Sequence, residues 1–240
     1  MFRGNTVAVI MPALDEVNSI AGVIRQLDRD LADWIVVGDN GSHDGTADAA
    51  IQAGAMVVHE PRRGYGSACL KAIAAVPQAE VLVFLDADGS DDPRELSLLL
   101  EALFTDDTEI VIGARLNEKA EPGSLTLVQR FGNTLTCGLV RLFWRVRFTD
   151  LGPFRALRRS TFEQLAMCDP DFGWTIEMQV KAAQMGLKVV EVPVSYRCRR
   201  GGASKVSGTI MGSWRAGKRI LEYVLAAKFR ELAGKSRRPR

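Results

Sequence analysis

Short apolar runs separated by polar, glycine-bearing gaps fill the first half of the chain. Residues 7–11, 34–37, 56–58, 81–85 and 109–113 are rich in β-branched and aliphatic side chains with no alternation, the pattern of strands buried on both faces. Between them, the segments leading to Leu31 and over 46–53, 67–75 and 94–104 have helix-compatible spacing. Strand, turn and helix repeat at the interval of right-handed βαβ units, so the pattern predicts an α/β fold with a mostly parallel central sheet. Pro12 is expected to break the first strand, and Asp44 to cap the helix over 46–53.

The second half is less regular. Residues 125–144 read as a helix whose apolar positions are interrupted by Arg130 and Arg141, with Arg145 just beyond. Residues 148–155 read as turn-rich around Gly152-Pro153. A helix introduced by Phe172-Gly173-Trp174 carries Glu177 and Lys181, four apart, which read as a surface pair worth roughly 0.2–0.5 kcal/mol. Residues 189–194 form a strand, and Pro193 favours an edge.

The chemistry concentrates where apolar runs stop. The stretch VLVFLDADGSDD over 81–92 passes from a buried strand into Asp86, Asp88, Asp91 and Asp92, followed by Pro93. Asp86 and Asp88 are two apart and share one side of an extended segment, where they can meet a hard cation. A turn and helix cap account for Asp91 or Asp92 before Pro93, but not for an acid that ends a hydrophobic strand. Asp15, Asp39, Asp86 and Asp88 all follow strand ends, and parallel sheets bind ligands beyond those ends. Residues 38–45 do not match GxGxxG, and no GxxxxGK[ST] occurs. What remains is a nucleotide site with one acid reading the base or ribose and an acid cluster holding metal against phosphate. RCRRGGASK over 197–205 supplies a basic loop suited to phosphate, or else a solvated charge run.

Composition narrows the classes. The 240 residues suffice for one large domain over 1–207, followed by an amphipathic helix and basic tail over 208–240. Four scattered cysteines form no zinc-like pair, and the only histidines are His43 and His59, which argues against a Cys/His site. Neither a signal peptide nor a membrane span is evident, so a cytoplasmic protein is expected. The formal charge of +2 conceals a gradient: 208–240 holds nine Lys/Arg and two acids, net +7, leaving the first 207 residues at −5. With Trp214 and apolar neighbours, that basic end fits either packing on the body or an anionic membrane surface. Nucleic acid is not expected, because no interleaved aromatic module accompanies the charge.

MPALDE, VVGDNGSHDGT, FLDADGSDDP and YRCRRGGASK occur in that order, with TDLGPFR and GWTIEMQVKAAQMG before the last of them. This set resembles the inverting family 2 glycosyltransferases of GT-A fold, in particular the polyprenyl-phosphate, dolichol-phosphate mannose synthase-like branch. The resemblance covers about 7–205. It implies that Pro12, Ala13, Leu14, Glu16 and Asp39 surround the donor base, while Asp86 and Ala87 help hold the donor. Asp88 would coordinate Mg²⁺ or Mn²⁺ bridging the diphosphate. Ser90 stands beside the metal where that branch usually has Gln, and Asp91 supplies compensating charge. Arg115 and Arg130 would face an acceptor phosphate, and Arg200, Ser204 and Lys205 would cover the donor diphosphate. Asp150 and Glu177 fall in acceptor-side or structural motifs, with Asp150 the candidate base for a hydroxyl acceptor. The chain departs from the family at Asp15, where Asn is common, and at Asn40, where Asp is common.

The implied reaction is direct displacement at the anomeric carbon of a nucleotide-diphospho-sugar by a phosphorylated lipid or a soluble acceptor, at or away from a membrane surface, by a monomer or a homo-oligomer. A phosphate acceptor, with a second pKa of about 6, needs no dedicated base; a hydroxyl needs one within about 2.6–3.2 Å. Rival readings are a UDP-sugar transferase using a soluble or other lipid acceptor, and a non-catalytic nucleotide-sugar-binding or membrane-scaffold protein. A dehydrogenase is least favoured without the glycine fingerprint.

Overall fold

The computed structural model describes residues 1–198 and 210–236, with 210–216 and 234–236 described as helical backbone only. Seven strands, β1 (Val7–Ala13), β2 (Trp34–Asp39), β3 (Met56–His59), β4 (Val81–Phe84), β5 (Ile110–Ala114), β6 (Arg155–Arg158) and β7 (Val189–Pro193), form one sheet. Their order is β3-β2-β1-β4-β6-β5-β7, parallel except that β6 pairs antiparallel with both β4 and β5. The helices are α1 (Ile20–Gln26), α2 (Thr46–Gln52), α3 (Tyr65–Ala74), α4 (Leu96–Leu103), α5 (Leu127–Trp144), α6 (Arg159–Leu165), α7 (Trp174–Met185) and α8 (Ile210–Ser236).

The unbroken apolar strands follow from burial on both faces. In β1, Val7, Val9 and Met11 enter one core with Ile20, Ile24 and Leu99, while Ala8 and Ile10 enter the other with Ile73, Trp174 and Val224. Successive strand residues point to opposite faces, so each core needs every second position apolar. Both cores together leave the polar chemistry only the strand ends.

Four expectations need correction. Pro12 does not end β1, which continues through Pro12↔Gly38 and Ala13↔Asp39. Ile10 O accepts from Leu85 N on the β4 side; Pro12, two residues on, faces the same side beyond the last pair, Ile10↔Phe84. Its missing N–H therefore costs no ladder bond. Second, the turn-rich reading ended one residue into a strand, β6, and gave no sign of α6. Arg155 looks like a surface residue but is 1% exposed, with Gly152 O, Thr175 O and Gln179 Oε1 accepting from its guanidinium at 2.7, 2.7 and 3.2 Å. Burial lowers its pKa to about 10.

Third, Glu177 is not on the surface. Its side chain is 0% exposed and lies 2.7 Å from Lys181, and it accepts from the amides of Cys168 and Asp169. Fourth, the residue at the cap of α2 is Gly45, with no side-chain cap bond, and not Asp44 as expected; Asp44 sits one residue earlier, where it accepts from Thr46 N at 3.0 Å across the turn. α8 sets Val224 and Ala227 into the core and ties to α5 through Trp144 Nε1–H donating to Glu231 at 2.7 Å. Among the described residues, no helix is long and apolar enough to cross a membrane.

Candidate active site

The loops after β1 and β2 are sewn to each other. Asp15 N donates to Ser42 Oγ at 2.9 Å, Glu16 N to Thr46 Oγ1 at 2.7 Å, Val17 N to Asp44 at 3.1 Å, and His43 N to Asp15 at 2.8 Å. The side chains that make MPALDE and VVGDNGSHDGT polar thus build one rigid wall. Asn40 extends it: its amide donates to Glu60 O and Arg62 O, and its oxygen accepts from Gly64 N, which brings the start of α3 to the β4 edge.

Gly64 and Gly66 are required there. Gly64 has φ of 140°, a region that disfavours side chains, and a Cβ on it would stand 2.1 Å from Pro170 O. A Cβ on Gly66 would stand 2.0 Å from Asp169 O. The close approach lets Ser67 N donate to Pro170 O at 2.9 Å and delivers Asp171 and Phe172 to the same cleft.

The resulting cavity has a volume of about 410 Å³. Among the described residues it is lined by Pro12, Ala13, Leu14 and Glu16 from the first loop, by Asp86, Ala87 and Asp88 after β4, and by Asn40, Arg63, Gly64, Tyr65, Ala68, Asp171 and Phe172. The first seven were expected from the sequence; of the rest, Asn40 stood out there only as a departure from the family. Asp39 does not line it. That carboxylate is 3% exposed and engaged beneath the wall, accepting from Ser42 N at 3.2 Å and meeting His59 Nδ1 at 3.1 Å. Arg200, Ser204 and Lys205 lie outside the described residues.

The acids after β4 differ sharply in their surroundings. Asp86 accepts from the Tyr65 hydroxyl at 2.9 Å; burial and the Asp86 charge push that phenol well above its ordinary range. Asp88 accepts from Ser90 N at 2.8 Å, and Ser90 O in turn accepts from Arg197 N. Asp92 does the capping, accepting from Arg94 N and pairing with Arg94 and Arg197. Asp91 is 1% exposed with neither carboxyl oxygen hydrogen-bonded. Burial, together with the charges of Asp86 and Asp88, pushes its carboxyl well above the ordinary range.

These donors fit a divalent cation of the Mg²⁺ class. They are all oxygens, and no three His, Cys, Asp or Glu side chains among the described residues form a protein-only cage. One or two carboxylates plus substrate phosphates is the usual way such an ion is held. The unsatisfied Asp91 beside them is the electrostatic counterpart: a buried acid cluster that added positive charge would relieve.

Across from these loops stands Arg115, directly after β5. Asp150 accepts from its backbone N, Nε and Nη2 at 2.7, 2.8 and 2.8 Å, and its guanidinium lies 4.9 Å from the Tyr196 ring centroid. Burial works against both charges, but each ion holds the other: Asp150 stays below the carboxylate range and Arg115 stays fully cationic. Asn133 on α5 fixes this loop, donating to Thr149 O at 2.9 Å and accepting from Leu151 N at 2.8 Å. Arg130, one turn earlier, is exposed on α5 and does not line the cavity.

Comparison with known proteins bears on the family and the fold. The sequence pattern of glycosyl transferase family 2 matches residues 8–207. An uncharacterized glycosyltransferase of Mycobacterium tuberculosis is 37% identical over 210 residues, 88% of this chain and 94% of its own length. The undecaprenyl-phosphate mannosyltransferase of Micrococcus luteus is 31% identical across 94% of this chain and 97% of its own. Among solved structures, glucosyl-3-phosphoglycerate synthase from Mycobacterium tuberculosis in complex with phosphoglyceric acid superposes with a TM-score of 0.76 at 24% identity, over 93% of this chain and 80% of that one. The likeness to that structure is one of fold: a mostly parallel GT-A sheet.

Proposed function

The chain belongs to glycosyl transferase family 2, and from that premise we propose that it transfers a hexose from a nucleotide-diphospho-sugar to a polyprenyl phosphate, with inversion, at a membrane surface. The observation that carries the acceptor assignment is the Arg115–Asp150 pair. It presents a fixed cation, and its acid is committed to that cation on both oxygens. Such a site suits an acceptor that arrives as an anion; it offers no ready base for a hydroxyl. Relatives named for polyprenyl phosphates support the same choice, at 31% and 30% identity over nearly their whole lengths.

In this reading the donor base and ribose rest against Pro12–Glu16 and the wall built by Asn40. Asp88, with Asp86 and the neighbouring Ser90, would hold Mg²⁺ or Mn²⁺, whose contribution is to stabilise charge growing on the departing diphosphate. Tyr65 fixes the rotamer of Asp86. Arg115 receives the acceptor phosphate on Nη1, the edge left when Nε and Nη2 are given to Asp150. Because that phosphate is already ionised at neutral pH, Asp150 acts as a positioning residue and takes no proton. The family resemblance would assign the diphosphate cover to Arg200, Ser204 and Lys205, which lie outside the described residues.

A soluble phosphorylated acceptor is the second reading, favoured by the fold neighbours, which were crystallised with Mn²⁺, UDP and phosphoglyceric acid. A grid of UDP- and GDP-hexoses against polyprenyl phosphate and small phosphorylated acids separates the two. The expected product is a hexosyl-phospholipid of inverted anomeric configuration; transfer only to the small acids would overturn the lipid assignment.

A further inference from the structure

α5 is amphipathic the wrong way round for a helix that only packs on a core. Its buried face is Asn133, Thr136, Cys137 and Val140. Its outward face carries Leu127 at 84%, Phe131 at 70% and Leu142 at 72% exposed, with Val128 and Leu135 alongside. Steps of four, four and seven residues keep 127, 131, 135 and 142 in one stripe. Solitary exposed apolar residues are ordinary, but a contiguous stripe of this kind marks a surface that something covers.

Charge identifies the occupant. Arg130 and Arg141 flank the stripe, Arg145 and Arg147 follow it, all exposed, and the 18 residues of α5 contain no acid. On α8, packed beside it, Leu225, Phe229 and Leu232 are also exposed, while Glu222 and Glu231 each sit by a lysine, at 3.7 and 3.5 Å. A second copy meeting this face about a twofold axis would set arginines against arginines, while the described acids of α8, Glu222 and Glu231, already sit beside lysines. An apolar ridge rimmed by arginine matches an anionic lipid surface, where aliphatic side chains enter the acyl boundary and guanidinium groups meet phosphate headgroups.

We propose that the outward face of α5, extended by α8, is the membrane-docking surface of this protein. The inference rests on the lipid-acceptor reading above and deepens it. Through Asn133, the same helix grips the loop that carries Asp150 and hence Arg115, so docking by α5 brings the acceptor-side cation next to the bilayer in which a polyprenyl phosphate resides. It also places the membrane contact on the body of the enzyme, whereas the sequence offered 208–240 either for packing on the body or for an anionic membrane surface.

Sedimentation of the full chain with vesicles of phosphatidylglycerol and phosphatidylcholine tests this. The expected result is binding that weakens at least tenfold in the Phe131→Glu, Leu142→Glu double variant, weakens in pure phosphatidylcholine, and is largely kept when Lys235, Arg237, Arg238 and Arg240 are changed to Gln. Both apolar positions are exposed, so the melting temperature should stay unchanged. Equal binding by the double variant, binding carried wholly by the tail, or a dimer that the double variant splits without any vesicle affinity would each overturn the proposal. Turnover on polyprenyl phosphate dispersed in detergent keeps the two readings apart: the double variant should retain it. Vesicle binding without any lipid-phosphate turnover would leave the surface standing and remove the acceptor assignment.

Discussion

Glu177 and Asp150 are both buried acids, each held by a different cation. For Glu177, burial alone would raise the pKa, but Lys181 and the amides of Cys168 and Asp169 more than offset it, so the folded-state value falls below the ordinary 4.5. A carboxylate with a depressed pKa stabilises the fold above its unfolded pKa and loses that contribution as pH falls through the folded one. Glu177→Gln is therefore expected to cost about 1.5–3 kcal/mol at neutral pH, with the gap from the parent closing below about pH 4.5; urea titrations across pH 3–7 measure it. A gap independent of pH would mean the charge plays no part. At the donor edge, Asp88→Asn should weaken Mn²⁺-dependent UDP binding by at least about tenfold, or about 1.4 kcal/mol, by calorimetry. Tyr65→Phe, which removes only the hydroxyl that fixes Asp86, should lower kcat with a smaller change in melting temperature. The acids were legible because a strand-like apolar run ends in them. Tyr65 was not, because a tyrosine between two glycines gives no sign of an acid 21 residues away.

At the scale of elements, the parallel half of the sheet was legible from five apolar runs, since burial on both faces leaves an unmistakable pattern. β6 was hidden for a physical reason. Four residues with arginine at both ends carry no such pattern, and the hydrogen bonds that make Arg155 tolerable inside come from Gly152 and α7. The same holds for the turn into α3, whose glycines answer to Asp169 and Pro170, about a hundred residues later in the chain. Gly66→Ala should accordingly destabilise the protein by about 1–3 kcal/mol through overpacking against backbone. It should also weaken donor binding, because α3 carries Tyr65 into the cavity. Denaturant unfolding and UDP titration of the same variant check both, and an alanine variant as stable as the parent would contradict the packing argument.

Over the whole molecule, two halves of different legibility meet at β4. The half before β4 is mostly a local product of strand, loop and helix in sequence order, so its motifs could be read in place, while Asp171 and Phe172 reach its cavity from far along the chain. The other half is assembled from β5, the Asp150 loop, α5 and Tyr196, segments that the chain brings together only after β6 has turned back between β4 and β5. That is why Asp150 could be singled out from its motif while its ion pair with Arg115 could not. The account as a whole depends on the donor diphosphate lying against the carboxylates at the end of β4. Anomalous diffraction from crystals grown with Mn²⁺ and UDP tests that directly: the account predicts a manganese peak about 2.1 Å from an Asp88 oxygen, in contact with the diphosphate. UDP bound with its manganese remote from both Asp86 and Asp88 would contradict it.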